Sequence, residues 1–209
     1  MTDLRKVRWI GGGTGGGKSS TAIALAEKHG LEWYSYDWHD SRGHSERTRA
    51  DRHPNRARFL AMSLDERWVT RTPEQMADEA IATFRERFEM VLEDLAALAA
   101  DAVIADGFGL LPELVARVVA GPGMALYLLP TPAFRERALT QRGWVTIEGT
   151  SDPARARANR LARDALLTEY VRRSAAALGL RTVEIDGTRS VDDVIALAEA
   201  HFFPDPGTP

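Results

Sequence analysis

The chain has 209 residues, enough for one α/β domain with a modest insertion. Apolar residues make up 44% and charged residues 27%, the balance of a globular domain, and no apolar run nears the roughly 20 residues that span a bilayer. Cysteine is absent, which excludes disulfides and thiolate metal sites, and a net charge of −3 gives no support to a nucleic-acid partner.

Val7 to Ile10 is short and β-prone, and a cluster of glycines follows at once. Ala22 to His29 has helical spacing and stops at Gly30. Leu31 to Tyr36 is a second strand that ends at Asp37, after which Trp38 to Pro54 loses all periodicity and fills with charge, as a loop or mobile insertion would. A short helix is expected within Arg56 to Leu64, and Pro73 opens a long one, to Ala100, with Met76, Phe84, Phe88, Val91 and Leu95 on its apolar face. Ala102 to Ala105 is a strand closed by Asp106-Gly107, Pro112 to Ala120 a helix, and Met124 to Leu129 a buried strand. Thr131 caps a helix that begins with Pro132 and runs to Arg142-Gly143. Trp144 to Pro153 connects it to a long arginine-rich helix over Ala154 to Leu178. Thr182 to Ile185 is the fifth strand and Val191 to His201 the last helix. Strands alternating with helices predict a parallel sheet covered on both faces, with ligands bound beyond the carboxyl ends of the strands.

Gly12-Gly13-Thr14-Gly15-Gly16-Gly17-Lys18-Ser19 matches the G-x-x-x-x-G-K-[ST] phosphate loop without a mismatch. A chance match in a chain of this length is on the order of one in a hundred from average residue usage. Glycines let successive amides turn toward phosphates, Lys18 is expected to reach the β- and γ-phosphates, and the Ser19 hydroxyl to take one Mg²⁺ position. Ser20, next in the chain, belongs to the same nucleotide-binding set. Asp37 follows the second strand, where a carboxylate can accept the proton of an attacking hydroxyl; the alternative is a turn residue leaving the strand. Asp40 is a second candidate for that work. Asp106, at the end of an apolar strand, is placed to hold Mg²⁺, and otherwise to cap a helix. Arg137, Arg142, Arg155, Arg157, Arg160 and Arg163 are the candidates to close over the γ-phosphate, two or three of them being expected to reach it. The segment from Asp37 to Arg58 holds six arginines, which suits an anionic acceptor and equally suits a charged mobile loop.

Gly12 to Ser19, Asp37, Asp106-Gly107 and Phe134 to Gly143 together resemble the P-loop small-molecule and nucleoside kinase superfamily, which includes adenylate, shikimate, gluconate and uridine kinases and chloramphenicol phosphotransferase. The resemblance implies a P-loop NTPase fold, an α/β architecture with a five-stranded parallel sheet in the order 2-3-1-4-5, helices on both faces and a mobile lid. It implies ATP and Mg²⁺ as cofactors and a small-molecule phosphoryl acceptor. It also places Arg142 near the nucleotide and, through the loop Gly187-Thr188-Arg189, puts Arg189 beside the adenine. Residues 1–203 are read as one domain, with 37–72 as an acceptor-side insertion, 143–158 as the lid and 204–209 as a flexible tail. The expected protein is a cytoplasmic monomer or homodimer with no nucleic-acid or membrane partner. A regulatory NTPase that lacks an acceptor is the alternative.

Overall fold

The computed structural model describes residues 2–98, 100–143 and 147–204. Five strands form one parallel sheet in the order β2-β3-β1-β4-β5. They are β1 (Arg8–Gly12), β2 (Glu32–Ser35), β3 (Val103–Asp106), β4 (Ala125–Pro130) and β5 (Arg181–Ile185). The expected strand order is the observed one. No adjacent pair of strands is joined by a hairpin, because parallel neighbours need a crossover, and the helices in those crossovers cover the sheet. They are α1 (Lys18–His29), α5 (Pro73–Ala97), α7 (Pro132–Gln141), α8 (Pro153–Ala177) and α9 (Val191–Phe202), with the short α2 (Tyr36–His39), α3 (Pro54–Ala61), α4 (Leu64–Trp68) and α6 (Pro112–Val115).

Alternation along each strand divides the core in two. Trp9, Tyr34, Ala105, Tyr127 and Leu129 face α5 and α8, where Phe84, Phe88, Val91, Leu167 and Val171 meet them. Ile10, Ile104, Leu126 and Leu128 face α1 and α9, against Leu25, Val194, Ala198 and Phe202. The central strands β1, β3 and β4 are buried on both faces and so read as continuous apolar runs. β5 lies at the edge, and Arg181, Thr182 and Glu184 stay exposed between its buried Val183 and Ile185.

Two expectations need correction. Residues 38–46 are not a loop: β2 stops at Ser35, Ser35 caps α2, and a π-helical turn, Asp40–His44, continues from it, while residues 47–53 are turns and irregular chain as expected. Turns this short are invisible to periodicity, and the segment is held from outside by α5, through ion pairs of Arg47 with Glu93 and Asp94 and of Arg52 with Glu89, and a hydrogen bond between His53 and Glu89. The helix expected over Pro112–Ala120 ends as α6 at Val115 and continues as turns, since two adjacent β-branched residues, Val118 and Val119, and Gly121 favour no further helix. The lid expectation over 143–158 falls partly on residues 144–146, and the tail expectation on 205–209, both outside the described residues. No helix among the described residues is long and apolar enough to cross a membrane.

Candidate active site

The carboxyl ends of β1, β2 and β3 meet above the sheet. β1 runs into the phosphate loop, whose Gly15 and Gly17 adopt φ of +82° and +83°, a left-handed region that glycine enters freely. Behind the loop the fit is close: a Cβ on Gly12 would lie 2.0 Å from the Leu128 carbonyl oxygen, and one on Gly13 2.7 Å from Thr168 Oγ1. In front it is open, and a Cβ on Gly17 would meet nothing within 4 Å. Gly17 gives α1 no side-chain cap. Among the described residues the amides of Gly15, Gly17, Lys18 and Ser19 have no backbone acceptor. A concave row of unsatisfied amides at a helix N-terminus is a cradle for phosphate oxygens.

Lys18 is buried and its Nζ donates to the Gly13 carbonyl oxygen at 2.9 Å. Burial pushes its ammonium pKa below the usual lysine value, and the charges of Asp37, Asp106 and Asp164 oppose that shift. Ser19 Oγ donates to Asp106 Oδ2 at 2.7 Å, and Trp33 Nε1 donates to Asp106 Oδ1, also at 2.7 Å. Asp106 is inaccessible to solvent, and burial raises its carboxyl pKa against the lowering effect of both donors and of Lys18. Mg²⁺ is commonly held by one or two carboxylates plus substrate phosphates and keeps several waters. A hydroxyl and a single carboxylate side by side at the foot of the cradle fit that requirement.

Asp37 lies exposed in the first turn of α2, and its Oδ1 accepts from the Phe108 amide at 3.4 Å. Asp40, one turn on, is engaged instead by Arg87 and, at 3.8 Å, by Arg56. Tyr36 ties the ends of β2 and β3 together: a Cβ on Gly107 would sit 2.3 Å from Tyr36 Cβ, and one on Gly109 2.4 Å from its ring. Thr14, Gly15, Gly17, Lys18, Ser19, Ser20, Asp37 and Arg142 all line one cleft of about 450 Å³, together with Asp40, Arg160 and Arg163. Of the six arginine candidates, Arg142, Arg160 and Arg163 therefore reach this cleft. Arg137 donates to the Asp186 carbonyl, Arg157 pairs with Glu136, and Arg155 does not line it. Asp106 lies beneath the floor, behind Ser19.

A second cleft of about 190 Å³ lies on the far side of the phosphate loop, walled by Phe134, Ile185, Val191 and Val194, with Arg142 and Arg189 at its border. A third, of about 230 Å³, opens beside the first, sharing Asp40, Phe108 and Arg163 with it. Sequence reasoning missed Trp33 and Arg87, whereas Asp40, Arg163 and the arginines of 37–58 that line this third cavity were already candidates. One signal was present: Arg87 falls on the apolar stripe of α5 between Phe84 and Phe88, where a solvated arginine has no place.

A parallel sheet in the order 2-3-1-4-5, with a glycine-rich loop between β1 and α1 that ends in Lys18-Ser19, is the P-loop NTPase fold. Solved structures similar to the chain include shikimate kinase from Acinetobacter baumannii (16% identity, 95% of this chain and 93% of that one, TM-score 0.49). They also include a gluconokinase from Sinorhizobium meliloti (16% identity, 97% and 93%, TM-score 0.47) and the protein TT1252 from Thermus thermophilus (18% identity, 91% and 96%, TM-score 0.48). No protein-family model matches the chain, and no curated protein does.

Proposed function

We propose that the chain is an ATP- and Mg²⁺-dependent phosphotransferase that moves the γ-phosphoryl group to a hydroxyl of a small molecule. One observation carries this reading. Asp37 lines the same cleft as Lys18, with no arginine partner among the described residues, and a separate cavity opens from that cleft through Asp40, Phe108 and Arg163. A regulatory NTPase has only water to place and needs no such second chamber.

In this reading the open amides of Gly15, Gly17, Lys18 and Ser19 and the Lys18 ammonium hold the triphosphate, and the apolar walls beside Arg142 and Arg189 take the adenine. Ser19 and Asp106 would hold Mg²⁺, which supplies positive charge against the phosphate oxygens. Asp37 accepts a hydrogen bond from the acceptor hydroxyl and takes its proton as the new O–P bond forms and the bond to the β-phosphate bridging oxygen breaks, releasing ADP. Arg142, with Arg160 and Arg163, offsets charge that spreads over the transferred group. Residues 37–72 form the acceptor side, and residues 147–158 belong to the lid.

Asp37→Asn tests it. With a hydroxyl-bearing acceptor found by screening ADP release, kcat should fall by about 10² to 10⁴, the usual value of general-base assistance. ATP affinity and acceptor-independent hydrolysis should change far less. Equal losses in both rates would make Asp37 a structural residue, and a turnover that no acceptor stimulates would sink the phosphotransferase reading.

A further inference from the structure

The third cavity has a composition that the triphosphate site does not require. Its lining holds five arginines, Arg56, Arg67, Arg71, Arg87 and Arg163, against two carboxylates, Asp40 and Glu79. Several of these cations are already engaged. Arg71 pairs with Glu79, Arg87 with Asp40, and Arg163 with Asp164, just outside the lining. Counting Asp164, five arginines still face three carboxylates.

The excess charge sits on two residues. Arg67 spends its donors on the Phe59 and Leu60 carbonyls, at 3.1 and 2.7 Å, and no carboxylate lies within ion-pair distance of it among the described residues. Arg56 is buried, and its Nη2 donates to Ser45 Oγ at 2.9 Å. Among the described residues its one carboxylate, Asp40 at 3.8 Å, is shared with Arg87, and its buried Nε has no hydrogen-bond partner. Burial holds the Arg56 pKa below the usual arginine value. Uncompensated buried cations are costly unless a ligand completes them.

The rest of the wall is apolar and aromatic: Phe59, Trp68, Phe84 and Phe108, with the Arg163 guanidinium 4.9 Å from the Trp68 ring. At about 230 Å³ the cavity is smaller than the ~300–1,000 Å³ of drug-sized sites. The mouth that it shares with the cleft passes Asp40 and Phe108, whose amide holds Asp37.

We propose that this cavity is the acceptor site and that the acceptor is a compact hydroxylated anion, a carboxylate or a phosphate monoester, whose charge is taken by Arg56 and Arg67. This rests on the phosphotransferase reading for the word acceptor, though not for the anion. Guanidinium forks match both carboxylate and phosphate oxygens, and the two sources share this chemistry. The carbon skeleton lies against the aromatic walls and one hydroxyl reaches Asp37 at the mouth.

The test uses matched skeletons: glycerol, glycerate and glycerol 3-phosphate, then ribitol, ribonate and ribitol 5-phosphate. Binding is measured by calorimetry with the phosphate loop filled by Mg²⁺ and a non-hydrolysable ATP analogue, and turnover by ADP release with ATP. At least one charged probe should bind ten-fold or more tightly than its neutral partner, and whether glycerate and ribonate or the phosphate esters do so identifies the source. Arg56→Gln and Arg67→Gln should each remove most of that preference, while Arg56→Lys restores part of it. Melting curves identify any variant that fails to fold, and the second arginine then carries the test. Neutral probes binding as well as charged ones, no probe binding at all, or glutamine variants that keep the preference would overturn the proposal. Anion binding without turnover of any probe would leave the anion site standing and count against phosphoryl transfer, which separates the two readings.

Discussion

Asp106 is a charged group placed where charge is disfavoured. Its pKa is raised in the folded chain by burial, so folding binds its proton more tightly than the unfolded chain does. Its stabilising contribution is therefore greatest below the ordinary carboxyl range and is lost as pH rises through the folded pKa. At neutral pH the carboxylate is a cost to stability that its place beside Ser19 explains. Asp106→Asn should accordingly raise the melting temperature at pH 7 in EDTA while removing Mg²⁺-dependent turnover, and a lower melting temperature would show that the residue is a structural anchor. Trp33 acts on the same carboxylate from β2. Removing its donor with Trp33→Phe should raise the Mg²⁺ concentration for half-maximal turnover by about ten-fold, the low end for residues that orient metal ligands. A metal titration that superimposes on the parent would make the indole contact incidental. Asp106 was legible in the sequence because an acid ending an apolar strand is a local pattern. Trp33 was not, since its role depends on β2 lying beside β3, which no stretch of chain records.

The elements that were hardest to read are the ones held from outside. The N-terminus of α3 has no cap of its own, and Glu86 on α5 supplies one, accepting from the Asn55 and Arg56 amides at 3.0 Å each. Glu86 belongs to an acidic stripe on α5, with Glu79, Glu89 and Glu93, that pairs with Arg58, Arg52 and Arg47. Three of the six arginines that made residues 37–58 look basic are thus neutralised by α5, and a fourth, Arg49, by Asp51. Glu86→Ala should cost about 1 kcal/mol, as lost caps do. Hydrogen exchange should speed up over residues 45–61 well before the sheet is affected, whereas uniform acceleration would assign Glu86 to the global core. Beneath the same segment, His44 is fully buried with Nε2 2.7 Å from Asp94, and burial lowers its pKa despite that carboxylate. A lowered imidazole pKa means that the unfolded chain binds the proton more readily. Stability should therefore be full above about pH 6.5, the ordinary histidine value, and fall as pH drops through the folded pKa. Tyr36, His39 and Asp40 surround the ring, and Tyr34 and Arg47 share its Asp94 partner, so exchange of residues 36–48 is the local readout. Stability flat from pH 8 to 5.5 would contradict it.

Across the whole molecule β1, β3 and β4 were legible because they are short apolar runs bounded by glycine, proline or acid, whereas the strand order was expected only through the resemblance to P-loop kinases, since no local pattern records which strands pair. The cavities were not, since each is lined from at least three elements brought together by tertiary packing. A ligand that binds only the folded form stabilises it by about 2.7 kcal/mol at a hundred times its dissociation constant. For a domain of this size that corresponds to a rise of roughly 5 to 10 °C in melting temperature. Mg²⁺ with ATP should produce such a rise, and Lys18→Ala should abolish it together with turnover; an equal rise in the variant would remove Lys18 from the phosphate site. The seat of Tyr36 against Gly107 and Gly109 has its own outcome. Because neither glycine leaves room for a methyl group against Tyr36, the acidic end of β3 and the turn that carries Asp37 are close-packed on one another. In a library of all single substitutions, Gly107 and Gly109 should tolerate nothing while Gly43 and Gly123, which face open space, accept most replacements, and a Tyr36 variant with a smaller ring system should rescue alanine at Gly109.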